Sequence, residues 1–289
     1  GFDHAAVHEG LGRVYVAHTA NDAVDVIDAE AQRCVGSVDG LTGVAGALVS
    51  EERGLVFTSN RGENTVGIFT PGAEAGLARV PVGVGPNGLA YDPRRDVLLA
   101  ANVGDPDVPG SHTVSLVDVA GRARLADVQV EGRTRWAVFD PASQDFYVNI
   151  AAPPRIAAID VPARRTARAL PVPAAGPHGL DLDPVARRLF CACDAGTLVA
   201  MHMESGRVLG TAALSGPPDV IFFNPALRHL YVAIGEPGVI DVFETDTLQR
   251  IETVATEAGA HTLGFDARRA TVYAFLPGTH RAAVYLDRE

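Results

Sequence analysis

The sequence predicts an all-β chain, a seven-bladed β-propeller, on three observations. Short apolar runs follow one another along all 289 residues, with turn residues between them. The runs fall into groups of four with almost no helical periodicity, and the group recurs every 41 to 48 residues. Repetition of a four-stranded antiparallel unit at that period is the signature of a propeller. The stretch Gly176–Leu214 shows one unit in full. Its runs GLDLD, RLFCAC, TLVAMHM and VLGTAAL are separated by a Pro-Arg-Arg, an Asp-Ala-Gly and a Glu-Ser-Gly turn. A solenoid would need polar end caps, which the terminal runs do not supply.

In chain order, blade 1 (residues 1–38) reads FDHAAVHE, RVYVAHT, AVDVIDA and CVGSV. Blade 2 (39–82) reads GALVSEE, LVFTSN, NTVGIF and LARVPV, and blade 3 (83–130) NGLAYDP, VLLAAN, TVSLVDV and ADVQV. Blade 4 (131–172) is WAVFDP, DFYVNI, IAAIDV and ARALPV; blade 5 (173–214) is the unit above. Blade 6 (215–256) is DVIFFNP, HLYVAIG, VIDVFET and IETVAT, and blade 7 (257–289) has three runs, HTLGFDA, TVYAFLP and AAVYLD. The expectation is one propeller domain over 1–289. The fourth strand of blade 7 is either absent or supplied by a segment preceding Phe2. Each first run ends in a polar residue, often before Pro or Arg, as in Asp92-Pro93-Arg94, Asp140-Pro141, Asp183-Pro184, Asn224-Pro225 and Asp266-Ala267-Arg268. Proline there sets a turn and cannot continue a ladder.

Net charge is −11, and all 24 basic residues are Arg. An acidic chain without a basic run argues against nucleic acid and anionic membrane surfaces, and the lack of Lys removes Schiff-base chemistry. No apolar run is long enough for a transmembrane helix. The three Cys read as small buried hydrophobes, since Cys191 and Cys193 sit two apart on one strand, where a bridge would strain the backbone.

Tyr15-Val16-Ala17, Tyr231-Val232-Ala233 and Asn64-Thr65-Val66-Gly67-Ile68, with Pro86-Asn87-Gly88-Leu89-Ala90 and Pro177-His178-Gly179-Leu180, resemble the YVTN-type β-propeller repeat family over essentially the full length. The resemblance implies the propeller fold and leans towards an exported or periplasmic protein. It leaves function open, since that family contains enzymes, binding proteins and members of unknown role.

Side chains at the start of each innermost strand are expected at the channel mouth, where ligands bind. Counting back five positions from the polar residue that ends each first run gives His4, Ala45, Asn87, Arg135, His178, Asp219 and His261. Nine His in 289 residues would place about 0.2 His in seven random slots, and these slots hold three. Three imidazoles and a carboxylate suit a divalent transition metal (Zn, Cu, Fe, Ni or Mn), with His4, His178 and His261 as ligands and Asp219 or His18 as a further one. This histidine ring is similar to that of metal-dependent propeller lyases. A water-filled polar plug accounts for the same residues without chemistry.

The resulting expectation is a metal-dependent lyase or hydrolase acting on a small oxygenated molecule. Asp219 would be its general base, Arg135 would bind a carboxylate or oxyanion, and Asn87 would orient the substrate. One alternative is a non-catalytic ligand- or protein-binding propeller. Another is a metal-free, lactonase-like hydrolase using His178 and Arg135 with Asp219 as acidic partner. Asn60 and Asn102 share the repeat position of His18 and read as turn residues. His8 and His202 read as packed between blades, His229 as lying at the opposite end of the strands, and Trp136 as blade packing or a substrate platform. Gly104–Ser111, extra to blade 3, reads as a rim loop or as plain surface.

Overall fold

The computed structural model describes residues 1–288 and shows a seven-bladed all-β propeller, six blades of four antiparallel strands and a last one of three. Residue 289, the final position of the expected blade 7, lies outside the described residues. Blade 1 contains β1–β4 (Ala5–His8, Arg13–His18, Ala23–Asp28, Arg33–Asp39) and blade 2 β5–β8 (Val44–Ser50, Leu55–Asn60, Thr65–Phe69, Ala78–Pro81). Blade 3 has β9–β12 (Pro86–Asp92, Val97–Asn102, Thr113–Asp118, Ala123–Gln129), and blade 4 β13–β16 (Thr134–Phe139, Phe146–Ile150, Arg155–Asp160, Arg165–Pro171). Blade 5 has β17–β20 (Pro177–Asp183, Arg188–Cys193, Thr197–His202, Val208–Ala213), and blade 6 β21–β24 (Pro218–Asn224, His229–Ile234, Val239–Glu244, Arg250–Ala255). Blade 7 has β25–β27 (Thr262–Asp266, Thr271–Leu276, Arg281–Leu286).

The contacts form two compact units. One holds Gly1–Val148 with Ala157–Arg168, the other Asn149–Ile156 with the chain from Ala169 onward, so the division passes through blade 4. In the first unit β1 and β2 pack on β5, β5 and β6 on β9, and β9 and β10 on β13. The core lies between the sheets: Tyr15, Val24, Val56 and Phe69 come from blades 1 and 2, and Phe57, Ile68, Leu89 and Leu98 from blades 2 and 3. In the second unit β17 packs on β21 and β21 on β25, with Phe190, Leu198, Ile221 and Phe243 between blades 5 and 6. Val220, Tyr231, Leu263 and Val272 play that part between blades 6 and 7.

Two local devices recur along the inner strands. The polar residue ending the strand accepts backbone N–H groups of the following turn. Asp92 takes those of Arg94 and Arg95, Asp183 those of Val185 and Ala186, and Asn224 those of Ala226 and Leu227. These side chains are buried, so the turn has a fixed origin. At the other end, register shifts by one residue between Val44 and Gly46, Pro86 and Leu89, Pro177 and Gly179, and Pro218 and Ile221. A bulge there leaves a residue outside the ladder and re-aims its side chain. Ala45, Asn87, His178 and Asp219 occupy those bulges.

The glycine after the bulge has a separate cause. A Cβ on Gly88 would strike the Arg135 carbonyl, and one on Gly179 the Asp219 carbonyl. One on Gly46 would lie 2.7 Å from the Asn87 carbonyl. The next inner strand passes directly over this position, so the P-x-G motif records blade-to-blade approach.

Two of the three cysteines are buried as expected, but Cys34 is exposed, because it lies on the outer strand β4, most of which faces solvent. His202 is also more open than expected. It sits at the end of β19 with its side chain 37% exposed, beside Ser205 and Glu204.

Gly179→Ala should lower stability by roughly 1–3 kcal/mol through forced separation of β17 and β21, read as a shift in urea midpoint at constant m-value. Asp181 links the same two blades, since one of its oxygens accepts the Phe223 N–H at 2.7 Å and the other that of Leu182 at 2.8 Å. Desolvation nevertheless pushes its carboxyl up to about 6, against the pull of those two donors. The fold therefore holds the proton more tightly than the unfolded chain does. The associated stability is full below about pH 4 and is lost as pH rises through about 6, on the order of 3 kcal/mol. Urea unfolding at pH 4 to 7 should show this fall in the wild type and a flatter profile in Asp181→Asn.

Candidate functional site

All seven counted-back slots fall at the second residue of an inner strand or just before one. In the second unit three of them meet. His178 projects from the β17 bulge, Asp219 from the β21 bulge, and His261 immediately precedes β25. Asp219 stands between the imidazoles, with Oδ1 3.2 Å from His178 Nε2 and Oδ2 3.9 Å from His261 Nε2. Each ring is anchored through its other nitrogen. His178 Nδ1 donates to Asp194 Oδ1 at 2.7 Å, and His261 Nδ1 to the Gly259 carbonyl at 2.8 Å. His178 is 16% exposed at its side chain, Asp219 22% and His261 38%, so the cluster opens to solvent from the His261 side.

The backbone beneath His178 is strapped from blade 4. Asn149, fully buried on β14, donates through Nδ2 to the carbonyls of His178 and Gly179 at 3.0 and 3.1 Å. Cys191 in turn donates to Asn149 Oδ1. Burial and the neighbouring Cys193 thiol hold the Cys191 thiol well above the ordinary range, so it serves as a neutral donor. Ser59 fills the same repeat position in blade 2, and its hydroxyl donates to the Asn87 carbonyl at 2.6 Å.

In the first unit the slots serve a different arrangement. His4 is 4% exposed, donates through Nδ1 to Asp3 Oδ1 at 2.6 Å, and stacks on Trp136 at 3.7 Å between ring centroids with planes 2° apart. Asp3 Oδ2 lies 3.6 Å from Arg61, which also donates to Asn87 Oδ1. Asn87 is thus tied to a neighbouring guanidinium. Arg135 is the second residue of β13, with its carbonyl against Gly88, and it is Trp136 that meets His4. Trp136 is therefore a stacking partner within its own unit.

His18 donates to Asp25 Oδ2 at 2.8 Å on the neighbouring strand. Asn60 and Asn102, at the same position, likewise reach across to Thr65 and to Thr113 and Ser115. That slot ties β2, β6 and β10 to their neighbours. His8, buried, lies 3.4 Å from Glu51, and His229 holds Asp287 at 2.7 Å together with Tyr231. The added loop of blade 3 closes on itself through Ser111, whose hydroxyl bonds both the N–H and the carbonyl of Asp105.

Among the described residues, no three His, Cys, Asp or Glu side chains form a group that could hold a metal ion as they stand. Asp3 and Asn149 were not assigned roles from the sequence. Asp3 adjoins a slot residue, and Asn149 lies within a second strand, where the count-back rule does not look.

The likeness to known proteins is one of shape. No protein-family model matches this chain, and no curated protein matches it. Solved structures do. A chain of Kuenenia stuttgartiensis hydrazine synthase superposes with a TM-score of 0.86 at 12% identity, covering 99% of this chain and 96% of its own. A chain of a mitotic checkpoint complex does so with a TM-score of 0.82 at 11% identity, covering 99% of this chain and 87% of its own. At such identities the shared property is the propeller fold.

Removing the strap should be costly. Asn149→Ala leaves two buried carbonyls and a thiol without their partner, and a loss of about 2–4 kcal/mol is expected, read by urea unfolding. Asn149→Ser, with one shorter donor, should recover part of it.

Proposed function

We propose that this chain is a metal-free, lactonase-like hydrolase acting on a small oxygenated molecule at His178, Asp219 and His261. One observation carries the reading: a carboxylate with one oxygen turned to each of two imidazole Nε2 atoms. His178 has a carboxylate at each of its nitrogens and holds Asp219 in place beside it. Asp219 is the group placed to act as base. His261 is the most exposed of the three and is placed to supply a proton to a leaving oxygen. In lactone hydrolysis the water oxygen bonds the acyl carbon as Asp219 takes its proton. The ring C–O bond then breaks, and its oxygen takes a proton from His261, giving a hydroxy acid. On the repeat residues around Tyr15, Asn64, Pro86, Pro177 and Tyr231, we assign the propeller to the YVTN type.

A second reading keeps a divalent transition metal, and the outward anchoring of both Nδ1 atoms favours it. Neutral rings so anchored turn their Nε2 lone pairs towards Asp219. Two imidazoles and a carboxylate are donors that Zn, Cu, Fe, Ni or Mn accept, with the outer partners fixing ring orientation. The 3.9 Å span to His261 would have to close for that set to form.

The test is turnover of a panel of lactones and aryl esters by chelator-dialysed protein. Hydrolysis that survives dialysis and falls roughly 10²–10⁴-fold in Asp219→Asn is expected. Activity lost on dialysis and restored by one equivalent of metal, with that metal absent from His261→Ala, would establish the second reading. Binding of such compounds without turnover would leave a non-catalytic ligand-binding propeller and end both.

A further inference from the structure

We propose that Asp194 is a positioning residue that fixes the ring orientation and tautomer of His178, an assignment that rests on His178 working beside Asp219. The contact is built entirely within blade 5. The β17 bulge turns His178 out of the ladder, and the β18–β19 turn brings Asp194 Oδ1 to 2.7 Å from its Nδ1. That turn is tied to the segment entering β17, since Asp194 N–H donates to the Gly176 carbonyl at 2.8 Å and Ala195 N–H to that of Ala175 at 3.2 Å. Gly176 has φ +69°, and a Cβ on it would lie 2.7 Å from Asp194 Cβ. The glycine both adopts the left-handed backbone and vacates the space that the aspartate side chain uses.

Other blades show that the fold does not require this carboxylate. The same pair of backbone bonds ties Arg61 and Gly62 to Gly43 and Thr42 in blade 2. In blade 3 it ties Val103 and Gly104 to Gly85 and Val84. The position of Asp194 is therefore filled by Arg or Val elsewhere with the turn intact. In blade 5 it carries an acid, and there the bulge residue is a histidine. Asp219 faces His178 from β21 at the opposite nitrogen, with His261 beyond it. Fixing Nδ1 as a donor thus sets the ring plane and leaves Nε2 as the nitrogen that faces Asp219.

The experiment is nitrogen-resolved NMR of the His178 ring between pH 5 and 9 in the full chain, for wild type, Asp194→Asn and Gly176→Ala. In Asp194→Asn the Nδ1–H resonance should move and its exchange with solvent should quicken roughly tenfold, as a charge-assisted bond gives way to a neutral one. The urea midpoint should stay near the wild-type value. On the substrate of the wild-type enzyme, kcat should fall about 10–100-fold with little change in KM. Gly176→Ala, which displaces the carboxylate without removing it, should reproduce the ring change. An unaltered His178 Nδ1–H signal and exchange rate in Asp194→Asn would overturn the assignment, as would an altered ring with undiminished turnover. The ring measurement does not depend on turnover, so a wild-type protein that hydrolyses nothing defeats the hydrolase reading separately.

Discussion

The close pass of one inner strand over the next is the constraint on which the rest of the structure depends. Where β13 crosses Gly88 and β21 crosses Gly179, a carbonyl occupies the space of a side chain, so only glycine fits. The strand cannot keep its ladder in register beside such a contact, and the preceding residue is left as a bulge. A bulged residue no longer points between the sheets, where apolar packing holds the blades together. The packing that builds the propeller thereby generates positions that are fixed in space but excused from the core. Polar and ionisable groups can stand there without the desolvation cost they would meet between blades.

What occupies those positions then follows from local electrostatics. The chain has no Lys, and its histidines repeatedly take a carboxylate at Nδ1: Asp3 for His4, Asp25 for His18, Asp194 for His178 and Asp287 for His229. Such a pair has opposite consequences in different surroundings. His4 is nearly closed off and covered by the Trp136 ring, so its pairing completes a packed interior. His178 meets a second carboxylate across its other nitrogen, in a cluster reached by solvent, so its pairing orients a ring that is not closed off.

The architecture was legible because each blade repeats the same strand lengths and the same polar stop. That stop served as a ruler because it is physically fixed: Asp92, Asp183 and Asn224 are buried and hold the turn's N–H groups, so five residues back always reaches the same point of the strand. The meeting of His178, Asp219 and His261 could be anticipated on that basis. The strap beneath them could not, since Asn149 lies within a second strand and approaches the bulge from the side. The fate of His4 was hidden for a similar reason. Stacking on Trp136 depends on which of two adjacent residues turns inward at β13, and the larger ring, one position past the counted slot, is the one that meets it.

The same fold carries a hydrazine synthase chain and a chain of a mitotic checkpoint complex at 11–12% identity, so the backbone imposes no chemistry of its own. Specificity has to enter where the repeat is broken. In blade 5 the break is double: an imidazole at the bulge and a carboxylate in the following turn, both replaced in blade 2, where Ala45 and Arg61 hold the equivalent places. Neither substitution disturbs the backbone bonds that define the blade. The repeat supplies matching sockets, and a pair of coordinated departures from it is what sets His178 apart from the packed histidines of the other blades.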